Sequence, residues 1–76
     1  MFTKKQGQHL SFIYNYTKIN GMSPAEAPMQ RYFKVTPPSV HQMVLTLEKV
    51  GLIGRKHGIA WSIRVLVPRE SLPYLE

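Results

Sequence analysis

The sequence predicts an α+β fold in which three helices precede a β-hairpin, followed by a short tail. Two observations carry this reading. Apolar residues recur at helical spacing as far as Gly51 and alternate with polar ones beyond it, so the period drops from about 3.6 to about 2. Helix-start signals also occur three times, at Thr3, Ser23 and Thr36, and glycine or a turn closes each run.

The first helix opens on Thr3 and Gln6, the spacing of a capping box in which hydroxyl and amide side chains satisfy two backbone donors. Leu10, Ile13, Tyr14 and Thr17 mark its inner face, and Gly21 supplies a left-handed cap after Asn20. The second helix is expected over 24–33. Ser23 is its N-cap, Pro24 its first residue, and Glu26 closes a second box. Pro28 is tolerable there only within the first turns.

Thr36 caps the third helix, expected over 37–50, with Pro37 and Pro38 where no intrahelical donor is needed. Val40, Val44 and Leu47 share one face. After Gly51, Ile59, Trp61, Ile63, Val65 and Val67 alternate, with a hairpin turn at His57-Gly58. On this pattern Trp61 packs at the hairpin base. Pro68 stops the second strand. The order is that of a winged helix-turn-helix over 1–67, with 68–76 as tail or linker.

A chain of 76 residues allows one domain, whose core buries roughly 60% of the unfolded surface. Without cysteine there is no disulfide framework or thiolate chemistry, and His9, His41 and His57 lack metal-ligand spacing. No cofactor or metal is implied. No apolar run approaches the roughly 20 residues of a membrane span, so a cytoplasmic protein with no membrane partner is expected. Ten Lys and Arg against four acids give a net charge of +6, and Glu26 is the sole acid before Glu48. Such an excess favours a polyanionic partner.

The third helix is where that partner would be read. With Val40, Val44 and Leu47 turned inward, its outward arc carries Pro38, Ser39, His41, Gln42, Leu45 and Thr46. The second helix of a helix-turn-helix reads base edges from its N-terminal half. Gln42 can pair with adenine, Ser39 can donate or accept, and His41 can meet guanine or phosphate. Pro38 lies beside them. Thr36, Arg31 and Lys34 suit phosphate contacts, and Arg55, Lys56 and His57 would form the wing over 54–60. The same side chains would also suit an ordinary solvated surface.

In order along the chain, Thr3 with Gln6, "NGMSP", "TPPSV", "LEKVGLI", "HG" and "SIRVL" resemble the N-terminal DNA-binding domain of the LexA repressor family, up to about Leu66. The resemblance implies a winged helix that binds palindromic double-stranded DNA as a homodimer and represses transcription on the nucleoid. It places the family's contacts on Thr36, Pro38, Ser39, His41 and Gln42. Where the family usually has an acidic pair this chain has His41 and Gln42, and Pro38 replaces an asparagine, so its base preference should differ. The family's Ser/Lys peptidase has no counterpart in these residues, and no enzyme activity is expected.

Two rivals stay open on sequence. A winged helix can be a protein-interaction module, for which Leu45, Leu72, Tyr74 and Leu75 could form the surface. An RNA-binding protein would share the basic charge but lacks a recognisable aromatic platform motif.

Overall fold

The computed structural model describes residues 2–59 and 62–76. Trp61, expected at the hairpin base, lies outside them. The element order is α1 (Lys4–Asn20), α2 (Glu26–Phe33), α3 (Pro37–Lys49), β1 (Ile53–Gly54) and β2 (Arg64–Val65), then a 3-10 turn at Arg69–Ser71. Three helices followed by an antiparallel two-stranded sheet form a winged helix, as the change of period requires.

Local chemistry starts each helix. Thr3 Oγ1 accepts from the Gln6 amide at 3.1 Å while Gln6 Oε1 accepts from the Thr3 amide at 2.9 Å, so the capping box forms in full. At the other end Gly21 takes φ 79°, and its amide reaches the Thr17 carbonyl at 2.8 Å. That left-handed geometry is cheap only without a Cβ.

The second start signal behaves differently. The helix begins at Glu26 with Ala25 as an N-cap that makes no side-chain bond, so Ser23 is not the cap. Pro28 gives the reason. It now occupies the third helical position, the last at which a missing backbone donor costs nothing. A helix starting at Pro24 would carry that proline two residues deeper, where it removes a hydrogen bond and its ring clashes with the preceding turn. Ser23 is instead buried, and its Oγ accepts from the Ile63 amide at 3.1 Å. That bond fastens the hairpin to the α1–α2 loop.

The core takes Leu10 and Ile13 from α1, Met29 from α2, Val40, Val44 and Leu47 from α3, and Leu52 with Ile53 from the hairpin entry. Each fully buried side chain of this size contributes about 1.5–3 kcal/mol. Aromatic contacts join α1 to α2. His9 stacks on Phe33 with ring centroids 4.0 Å apart, and Phe12 lies 4.7 Å from Tyr32.

Among the described residues the hairpin pairs Ile53 with Val65 and Gly54 with Arg64, a shorter ladder than the alternation suggests. From Ile63 onward the pattern holds, since Ile63, Val65 and Val67 pack against the core. Ile59, expected on that face, is 59% exposed. The chain turns before reaching it: Gly58 takes φ 80°, and the Ile59 amide returns to the Lys56 carbonyl at 3.2 Å. Ser62 Oγ accepts from the Lys56 amide at 3.0 Å and lies within hydrogen-bonding reach of the Lys56 and Ile59 carbonyls.

The last residues double back over α1. Ser11 donates to the Pro73 carbonyl at 2.6 Å, Gln8 donates to Tyr74 and accepts from the Glu76 amide at 2.8 Å each, and Tyr32 donates to the Glu76 carbonyl. Leu72 and Leu75 pack against the core. Gly7 allows this close approach: a Cβ there would lie 2.8 Å from Phe2 Cε1 and 3.1 Å from Pro73 Cγ.

Candidate nucleic-acid interface

The second helix of the helix-turn-helix is α3, and its two faces separate cleanly. Val40, Val44 and Leu47 are buried, whereas Pro38, Ser39, His41, Gln42 and Leu45 are exposed. Thr36 caps the helix with prolines at the first two helical positions. Its Oγ1 lies 3.4 Å from the Ser39 amide and 3.0 Å from Ser39 Oγ, so the two hydroxyls hold each other.

His41 has a partner that sequence reasoning missed. Its Nδ1 lies 3.0 Å from Glu26 Oε2, which fixes the ring from one side and leaves Nε2 for other contacts. Glu26 is the first residue of α2. Helix start signals alone assigned it to a capping box, and only the packing of α2 against α3 brings it to His41.

In the turn between α2 and α3, Lys34 adopts φ 55°, a left-handed conformation unusual outside glycine. Its side chain is exposed, as is that of Arg31 in the last turn of α2. A shallow groove between α1 and α3 places Lys5 and Gln6 beside Ser39 and Gln42.

The wing residues divide. Arg55 Nε lies 3.1 Å from Glu48 Oε1, and His57 Nε2 lies 2.8 Å from Glu48 Oε2. The hydrogen bond from His57, then that from Arg55, holds the Glu48 carboxyl below the ordinary carboxylate range. The Arg55 side chain is only 19% exposed. Lys56, between the two, is exposed. Among the described residues no three metal-ligating side chains converge.

His9 is the remaining histidine, and it serves the scaffold. It is 2% exposed, with Nδ1 2.9 Å from the Lys5 carbonyl, and burial lowers its pKa. Of the surface considered for protein docking, Leu72 and Leu75 are half-buried against the core, whereas Tyr74 is 97% exposed.

Three helices, the third with a polar outer face, and an antiparallel hairpin beside them define a winged helix-turn-helix. No family model matches the chain. It is 40% identical to the LexA repressor of Thermosipho melanesiensis over 92% of its own length and 35% of that protein's. Against the LexA repressor of Thermosipho africanus the identity is 37% with the same coverage. Against that of Thermotoga maritima it is 33%, covering 97% of this chain and 46% of the relative. The resemblance to LexA repressors is therefore real along almost all of the chain, which spans less than half the length of these relatives.

Proposed function

We propose that this chain is a sequence-specific double-stranded DNA-binding winged helix of a transcriptional repressor, acting in the cytoplasm on the nucleoid. The observation that carries the reading is the division of α3, whose inner residues are fully buried while Pro38, Ser39, His41 and Gln42 stand exposed, with no acidic side chain among them, over its first turns. A groove walled by phosphates disfavours acids there, and none is present before Glu48 within α3. The LexA relatives, repressors by name, agree with it.

In this reading Gln42, Ser39 and the Nε2 edge of His41 meet base edges, with Pro38 packed beside them. Thr36, Arg31, Lys34 and Lys56 approach phosphates. Lysine in the left-handed turn supports this role, because the position presents a cation where glycine would be easier for the backbone. Arg55 and His57 belong to the wing but reach it through Glu48. A single module of this size gives limited affinity, so a homodimer on a palindromic site is proposed.

Fluorescence anisotropy against random double-stranded DNA and matched RNA, titrated with salt and followed by selection from the bound DNA, tests the proposal. A recovered palindrome supports the dimeric reading. Gln42→Ala should relax base preference, whereas Lys56→Ala should weaken all DNA equally and reduce the salt slope by about 1. Equal losses on selected and random DNA for Gln42→Ala would remove its base-reading role. No binding to DNA at low salt would end the proposal.

A further inference from the structure

Among the described residues, few backbone bonds hold the wing loop. Its ladder ends after Gly54 and Arg64, and the bonds around Ser62 close the loop on itself rather than onto the helices. The described contact that ties the loop to α3 is the Glu48 carboxylate, one oxygen on Arg55 and the other on His57. Residues 55 and 57 thus meet α3 through their side chains, and Lys56 lies between them, exposed and in no salt bridge among the described residues.

Glu48 is not there for the helix. It lies in the last turn of α3, where the helix dipole disfavours an anion. Its charge also opposes the phosphates that the neighbouring face is proposed to approach. Both penalties are relieved once Arg55 and His57 close on it, and the depressed carboxyl pKa has the same origin.

We infer that Glu48 is the positioning residue of the wing: by clamping Arg55 and His57 to α3 it sets Lys56 as the wing's phosphate-contacting cation. The DNA role of Lys56 rests on the proposed function; the clamp does not. Arg55, charge-paired and mostly covered, is then part of the fixture rather than a contact. The arrangement makes the wing an extension of the reading helix, so that base and phosphate contacts keep one register.

The test uses Glu48→Ala, with Glu48→Gln as the variant that keeps the side-chain shape and removes the charge. Both replacement residues favour helix, so the fold should survive, which a thermal melt checks. Amide hydrogen exchange without DNA should be several-fold faster over residues 55–59 in both variants and unchanged in α1. DNA affinity is then measured with and without Lys56→Ala in the parent and Glu48→Ala backgrounds. Lys56→Ala should reduce the salt slope by about 1 in the parent and by much less once the clamp is gone.

Unchanged exchange over the wing would overturn the clamp, whatever the DNA data show. Faster exchange with equal Lys56→Ala losses in both backgrounds would overturn the positioning of Lys56. An unmodified chain that binds no DNA would overturn the role of Lys56 and leave the clamp judged on exchange alone.

Discussion

The tail and the wing are both short segments outside the three-helix core, yet they are held by different forces. The tail lies along α1 with Leu72 and Leu75 packed inward, and Ser11, Gln8 and Tyr32 bond its backbone. The base of the hairpin also packs on the core through Ile63, Val65 and Val67, but beyond its two-residue ladder the described residues of the wing loop meet α3 through a carboxylate clamp between partly solvated side chains. Apolar burial with backbone bonding builds a segment into the domain, because both terms are lost together on undocking. Ion pairs near solvent hold geometry but add little stability. The tail therefore belongs to the scaffold, whereas the position of the wing loop rests on the Glu48 clamp.

The largest effect should come from removing residues 72–76. Losing two partly buried leucines and several hydrogen bonds should cost about 3 kcal/mol, lowering Tm by roughly 15 °C or more in a domain of this size. Thermal unfolding followed by circular dichroism measures it, and an unchanged Tm would mean that the tail is not structural. Within the same face, Ser11→Ala removes the donor to Pro73 and should cost about 1 kcal/mol. Chemical denaturation with an unchanged m-value would confirm that only this contact was lost.

A pH experiment probes the scaffold face further. Because burial lowers the His9 pKa, the unfolded chain binds more protons than the folded one between the folded and unfolded values. This contribution to stability is fully present above the unfolded pKa of about 6.5 and is lost as pH falls through that window. Tm should therefore fall as the pH drops below about 6.5, and His9→Gln should flatten this dependence.

The smallest effect on stability should come from the wing. Ser62→Ala opens the loop's internal bonds and should leave Tm close to that of the parent while speeding amide exchange over 56–59. A large Tm loss would erase the distinction between the two segments.

Much of this was legible in sequence because it rests on interactions within a few residues. Thr3 with Gln6, Thr36 with its two prolines, and Gly21 each fix their own neighbourhood, and α1 and α3 run very nearly where their signals place them. The face of α3 was legible too, since a 3.6-residue period follows from helical geometry alone. The failures differ in cause. Ser23 fits a cap by local rule, yet its hydroxyl goes to Ile63, 40 residues away. Ile59 fits the alternation, but the turn at Gly58 leaves it in the loop.

The candidate site divides along the same line. Sequence by itself determined the three helices and the hairpin, the inward and outward faces of α3, and the basic excess, because composition and short-range periodicity act without knowledge of what packs where. Tertiary structure decided that Glu26 meets His41, that Glu48 occupies Arg55 and His57 and leaves Lys56 exposed, and that the tail closes over Gly7. Those contacts, with the bond between Gln8 and Glu76, join residues 7 to 68 positions apart. A polar side chain's partner is chosen by whichever complementary group the packed helices bring within reach, and no local pattern encodes that distance.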